Sequence, residues 1–335
     1  GQNPGLWLNL AQRDTNAALQ RDGQDVDALT AEASVLRTEG VRRMNQEEDP
    51  VAPLQMAIRV ADQGIRLDPS QIVLLNIQNS ALLTWISVTG MQGTFQRAAA
   101  LPYLEAAKRE AQSHPDEAYF QANVGSLAQA MARAELDLGQ DPQSDALEAL
   151  RAYEAALRRQ PNHVAFHRGV LVADAFLARA RAKAGIDPGP VLTEARQAYD
   201  RARGLGVPLD TLSPYLLEVL TANLEWARVQ HREVRPLLEA GRRLEAGLAY
   251  NGENPEEILG IGLRFVIAWL RLDLPDQREP ARQRGQALAR RMNRQRSLDP
   301  TLWSSLATFE SLYGNETAAR AAEARAAAVV SRRRS

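Results

Sequence analysis

Apolar residues recur along this chain with helical rather than alternating periodicity, in runs of about 20 residues followed by a short polar break and a second helical run. No useful length alternates with period two, so the predicted elements are helices. Six second runs end at a proline: Leu67-Asp68-Pro69, Ser113-His114-Pro115, Arg159-Gln160-Pro161, Gly206-Val207-Pro208, Glu253-Asn254-Pro255 and Leu298-Asp299-Pro300. Those prolines stand 46, 46, 47, 47 and 45 residues apart. One step before Pro69 the pattern reaches Gln20-Arg21-Asp22-Gly23, where glycine is the terminator. Proline has no N–H for a helix interior and drives the preceding residue out of the helical region, so it closes one helix and can open the next. Each unit therefore reads as a helical hairpin.

The breaks inside the units agree. Glu47-Glu48-Asp49-Pro50, Gly90-Met91-Gln92-Gly93-Thr94, Leu138-Gly139-Gln140-Asp141-Pro142, Gly185-Ile186-Asp187-Pro188-Gly189-Pro190, Gln230-His231-Arg232-Glu233 and Leu274-Pro275-Asp276 supply left-handed caps and new N-caps. Second runs such as Leu101 to Gln112, Asp145 to Arg159 and Gln283 to Arg296 are rich in good helix formers. The pattern predicts a helix near Leu6 to Arg21, then pairs at 25–44 with 51–67, 71–90 with 96–113, 116–138 with 143–160, 163–184 with 190–204, 210–230 with 233–249, 256–273 with 278–297 and 301–313 with 315–331. The expected fold is all-α: one right-handed superhelical solenoid over 1–335, with repeat ends near Gly23, Pro69, Pro115, Pro161, Pro208, Pro255 and Pro300.

Ala149, Tyr153, Ala156, Leu157 and Pro161 place small residues, an aromatic and a terminal proline at the spacing of a second repeat helix, and Ala57, Gly64, Ile65, Leu67 and Pro69 repeat it without the aromatic. Trp303, Leu306, Ala307, Gly314 and Ala319 fall at first-helix and turn positions. In these residues the chain resembles the tetratricopeptide repeats. It departs from them in length, because that family's unit is about 34 residues, so peptide-binding positions do not transfer directly. Elongated Arg- and Ala-rich repeats punctuated as in Arg66-Leu67-Asp68-Pro69 also look like the sensor regions of some bacterial serine/threonine kinases. That resemblance implies a signalling role and a periplasmic location; otherwise a cytoplasmic one is expected. No glycine-rich phosphate loop, His-Arg-Asp or Asp-Phe-Gly of a kinase core is present.

Charge narrows the partners. The 335 residues carry 40 Lys and Arg against 41 Asp and Glu, a net charge of -1, which argues against a polyanion and leads to the expectation of no nucleic-acid partner. Zero cysteines exclude disulfides, thiolate nucleophiles and thiolate zinc sites. Gly1-Gln2-Asn3-Pro4 is neither an initiator methionine nor a secretory signal, so a processed chain is expected. Ser70 to Gln96 carries no charge and Ile258 to Leu270 is strongly apolar, yet the first holds Gln71, Asn76, Gln78 and Asn79 and the second is short and holds Arg264. Both read as helices buried among helices, with no membrane insertion.

No residue constellation argues for catalysis, and neither cofactor nor metal is expected. His163 and His167 share a helix face but lack a third ligand, and His114 and His231 lie at other helix boundaries. Glu47-Glu48-Asp49, Asp116-Glu117 and Glu256-Glu257 sit in a break or a first turn, where acids satisfy orphan N–H groups and the helix dipole. No serine has a Gly-x-Ser-x-Gly setting, and Gly260-x-Gly262 falls within a helix pattern, as a close-packing site does. Arg332-Arg333-Arg334 suits a helix C-terminus, and Trp85, Trp226, Trp269 and Trp303 fill the core.

What remains is a groove. Stacked hairpins curve, first helices line the inner wall, and six, seven or ten residues past each proline lie Asn76, Asn79, Gln121, His167, Arg168, Tyr215 and Glu218. These polar groups in apolar helices are the candidate peptide-binding residues, with Tyr215 as a side-chain anchor. The expected partner is a protein or peptide, the oligomeric state being open; the alternative is a structural scaffold or oligomerisation module without a groove.

Overall fold

The computed structural model describes residues 4–46, 48–248, 250, 255–294 and 299–332. Glu47, Glu253, Asn254 and Leu298 of the punctuation, and Arg333 and Arg334 of the terminal run, lie outside the described residues. The described residues form fifteen α-helices and no strand: α1 Pro4–Arg21, α2 Val26–Asn45, α3 Val51–Leu67, α4 Ile72–Met91, α5 Arg97–Ser113, α6 Ala118–Asp137, α7 Gln143–Arg159, α8 Val164–Lys183, α9 Gly189–Gly204, α10 Ser213–Val229, α11 Arg235–Ala246, α12 Pro255–Arg271, α13 Pro275–Arg294, α14 Pro300–Tyr313 and α15 Glu316–Arg332. The described residues are all-α and run as successive tetratricopeptide-like helical hairpins, as the periodicity predicted. Packing divides the chain into two compact units, Gly1–Ala100 with Val330–Ser335, and Leu101–Val329.

The hairpin turns carry the repeat in their backbone. Gly93, Gly139 and Gly185 have φ of 72°, 72° and 73°, and His231, one further step of 46 residues on, takes the same left-handed conformation at φ 52°. In each, the next residue's N–H reaches back to a carbonyl of the last helical turn at 2.8 Å: Thr94 to Thr89, Gln140 to Glu135, Ile186 to Arg181 and Arg232 to Ala227. This is the Schellman closure, and it requires one left-handed residue. Where Asp-Pro follows, as at Asp49, Asp141 and Asp187, the carboxylate accepts the N–H two residues on and starts the second helix.

In the first unit α2 packs on α3 and α4 around Leu29, Ala33, Leu54, Ala61 and Leu74, each no more than 2% exposed. Gly40 and Gly64 admit the contact: a Cβ there would lie 2.7 Å from Leu54 and 2.5 Å from Leu74. Glu32 is buried and accepts from Gln12 and Thr15 of α1. Helix α4 differs from its expectation. By length and composition it could cross a membrane, and 39% of its apolar window is buried, with Ile72 and Val73 exposed. Its Asn and Gln residues leave its apolar average at the level of a membrane span, a level that core helices also reach.

In the second unit the first helices of successive hairpins, α6, α8, α10, α12 and α14, pack directly on one another. Residues 213–224 of α10 are all buried. Trp269 and Trp303 fill this core, as Trp85 does in the first unit, while Trp226 is half-buried and donates its indole N–H to the Gly185 carbonyl at 3.3 Å. Gly260 and Gly262 are close-packing positions as expected, because a Cβ would lie 3.3 Å from Arg264 and 2.6 Å from the Tyr250 hydroxyl.

Candidate functional site

The polar centre of the second unit is built by one register of the repeat. Arg133, Arg179, Glu225 and Arg271 follow one another at steps of 46 residues on α6, α8, α10 and α12, and Glu218 and Arg264 are a second pair at the same step. Direct packing of first helices therefore brings charges of both signs together. Glu218, with 7% of its side chain exposed, accepts on Oε1 from Arg179 at 3.1 Å and from Arg264 at 2.8 Å. Burial pushes its pKa up, but Arg264, Arg179 and Arg133 outweigh that and hold it below the ordinary carboxylate range. Arg179 is lowered too, which works against its charge: burial lowers it, Glu218 opposes, and Arg264 and Arg133 lower it further.

Arg133 donates through Nε to both oxygens of Asp137 at 3.3 Å. Burial works against its charge, yet Asp137, Asp299, Glu218 and Glu257 hold its pKa above the usual value. Asp137 is raised by burial, against Arg133. At the outer end Arg271 meets Glu225 at 3.0 Å, both side chains 39% exposed. Beside them opens a pocket of about 270 Å³, walled by Arg179, Glu218, Glu225, Arg264 and Arg271, also lined by Ala222, Ile267 and the buried Thr221, and rimmed by Ser304, Ser305 and Thr308 of α14.

The seven residues expected to line a groove fall in different places. Asn76, exposed, and Asn79, half-buried, belong to the first unit. Gln121 donates to the Ala111 carbonyl at 3.3 Å, and His167 is 6% exposed with Nε2 2.7 Å from the Pro161 carbonyl. Arg168 is half-buried. Tyr215 is buried and donates to Glu257 at 3.1 Å; burial and that carboxylate raise its pKa, so it serves the helix stack and is no free anchor. Only Glu218 stands on the pocket wall. Counting ten residues from each proline reached Glu218 but not the arginines around it, which lie further along the first helices; the 46-residue recurrence of Arg133, Arg179, Glu225 and Arg271 was the signal available. His163 stacks on Phe166 at 3.8 Å, so the two histidines do not face a common point. Among the described residues no group of three or more His, Asp or Glu could hold a metal ion.

A second cavity, about 810 Å³, lies between α11 and α13. Its floor is Trp269, with the Arg242 guanidinium 5.0 Å from the ring centroid, and its walls include Glu245 and Arg284. Glu245, 4% exposed, accepts from Arg284 at 2.7 Å and from the Tyr250 hydroxyl at 2.5 Å.

Neither a family model nor a curated protein matches the sequence. Solved structures of IFIT1 are similar over most of the chain. A monomeric IFIT1 mutant with Gppp-AAAA matches at 15% identity and a TM-score of 0.36, covering 96% of this chain and 67% of that one. The human IFIT1 dimer with m7Gppp-AAAA matches at 15% identity and a TM-score of 0.30, over 96% and 68%. At these scores no residue here is matched to a functional residue there. One expectation is nevertheless corrected: those structures hold capped or triphosphate RNA, so a nucleic-acid partner is not excluded. The physical error was to read a net charge of -1 as a statement about every surface, when a polyanion responds to a local patch and four arginines gather here.

Proposed function

We propose that the chain is a non-catalytic recognition module whose first-helix layer in the second unit holds an extended segment of a protein partner. The observation that carries this reading is the charge cluster. Taking ions out of water costs more than their pairing returns unless the geometry is excellent, and an apolar replacement is commonly as stable. A cluster built from four successive repeats is thus a poor device for stability, and a good one for presenting fixed donors and acceptors to a ligand. The pocket beside it is lined mainly by charged and hydroxyl side chains, with Ala222 and Ile267 the apolar members, so what it offers a ligand is polar pairing. The kinase-sensor role gains no support from this geometry and is not part of the proposal.

The test is site-specific photo-crosslinking. Short peptides selected on the immobilised chain from a random display library should label a photoreactive residue placed at Ser304, on the pocket rim, and not one at Glu323, on α15. Saturable peptide capture that labels only Glu323, or no capture alongside self-association of the chain, would replace recognition by the scaffold reading.

A further inference from the structure

We infer that the pocket on α10, α12 and α14 takes an acidic side chain of the bound segment, Arg271 leaving Glu225 to pair with the ligand carboxylate. The inference rests on the recognition reading above and adds the chemistry of what is recognised. Three arginines face two glutamates in the pocket wall, so an arriving anion balances the charge. The two carboxylates are held unequally. Glu218 is fastened from both sides by Arg179 and Arg264 and is nearly closed to solvent. Glu225 has one cation, at 3.0 Å, in a pair 39% exposed on each side. Pairs of that kind contribute little and are easily exchanged. Arg264 also keeps a solvent-sealed Nε–H without an acceptor in the protein.

The rim decides which anion-bearing polymer fits. The hydroxyls of Ser304, Ser305 and Thr308 donate to the carbonyls of Pro300, Thr301 and Ser304 in their own helix. Their remaining capacity is therefore as acceptors. A peptide backbone supplies N–H donors to such a rim beside its acidic side chain, whereas a phosphodiester backbone supplies acceptors. The pocket, at about 270 Å³, has the scale of single side chains.

The experiment sequences the peptides selected on the full chain and measures the tightest one, as a synthetic peptide, against Glu225→Gln and Arg271→Gln at low ionic strength. Asp and Glu should be enriched among the selected peptides. Removing the internal competitor in Glu225→Gln should tighten binding about threefold, and Arg271→Gln should weaken it about tenfold. Both variants should melt as the parent does, because the pair is exposed. Peptides that label Ser304 without acidic enrichment, or whose affinity ignores both substitutions, would overturn the inference and leave recognition standing. No saturable peptide capture at all would overturn both. A single-stranded RNA oligonucleotide that displaces the peptide, with steep salt dependence and a need for Arg271, would reassign the pocket to nucleic acid.

Discussion

Two hairpins of the second unit close the same joint in opposite ways. In α6–α7–α8 the knob comes from the second helix: the Tyr153 ring lies where a Cβ on Gly125 would be 3.0 Å away and one on Gly169 2.5 Å away, and its hydroxyl is 3.0 Å from Ser126. One aromatic is thus seated against both neighbouring first helices. In α10–α11–α12 the knob comes from the following first helix, Phe265, whose ring lies 2.3 Å from a Cβ built on Gly241. Helix α11 has 12 residues, of which only Leu238, Gly241 and Glu245 are buried, and it rests mainly on α10. The cavity between α11 and α13 lies on this joint. The knob on the second helix is seated on glycines of two first helices, while the knob on the first helix is seated on a glycine of the second helix before it.

The largest effect should come from removing the knobs. Tyr153→Ala and Phe265→Ala should each cost about 3–5 kcal/mol in urea unfolding, as buried aromatic truncations do. The comparison predicts different reach. Hydrogen exchange should quicken across α6, α7 and α8 for Tyr153→Ala, and across α11 and α12 alone for Phe265→Ala. Equal spread in the two variants would show that both joints tie the same number of helices.

The tightly closed stack also encloses an acid. Asp174 of α8 is 1% exposed, its Oδ1 has no hydrogen-bond partner, and burial, aided by Glu194 and Glu154 and opposed by Arg201, pushes its pKa to about 8. Folding therefore takes up a proton that the unfolded chain, titrating near 3.8, has released. From this group stability should fall as pH rises between those two values, by about 1.4 kcal/mol per pH unit, and level off above the upper one. Asp174→Asn should flatten that fall, read as melting temperature from pH 5 to pH 9; an unchanged slope would mean that water or a cation reaches the carboxyl.

The joints explain how much the sequence could tell. Helix borders were legible because Pro69, Pro115 and Pro161 act locally on the backbone, whatever packs around them. The α7 joint was legible too, since Ala149, Tyr153 and Ala156 carry the second-helix signature and all three are buried. The α11 joint was not, because its knob, Phe265, lies on the next hairpin and a pattern read within one repeat never pairs it with Gly241. The candidate groove residues show the same limit. Tyr215 and His167 are polar in an apolar helix because they bond Glu257 and the Pro161 carbonyl, and a sequence cannot distinguish a satisfied polar residue from one awaiting a ligand. The cluster depends on which repeats meet face to face, knowledge that only packing supplies.

The turns sharpen the contrast at a smaller scale. Gly139 joins α6 to α7 at φ 72°, and His231 joins α10 to α11 at φ 52° in the same left-handed region. A side chain there costs about 1 kcal/mol that glycine does not pay. His231→Gly should therefore raise stability by about that amount less the entropy glycine adds to the unfolded chain, a net gain of a few tenths of a kcal/mol. Gly139→Ala should lower it by about 1 kcal/mol. Were His231→Gly destabilising instead, the histidine ring would be contributing contacts that secure α11.

The smallest effect tests whether polar bridges hold α11 across its cavity. Arg235 meets Asp276 of α13 at 3.1 and 3.2 Å, and Arg242 donates to Gln277 at 3.1 Å, all near the solvent. Gln277 and then Arg235 hold Asp276 below the ordinary carboxylate range, but both charges of the pair stay more than half exposed. Water screens such pairs and ordering two long side chains offsets the attraction. Arg235→Ala should then leave the melting temperature and the exchange rates of α11 unchanged, at low salt as at high. A drop that appears only at low salt would move the anchoring of α11 from the Phe265 knob to the bridges, and the two hairpins would differ in chemistry as well as in the direction of their knobs.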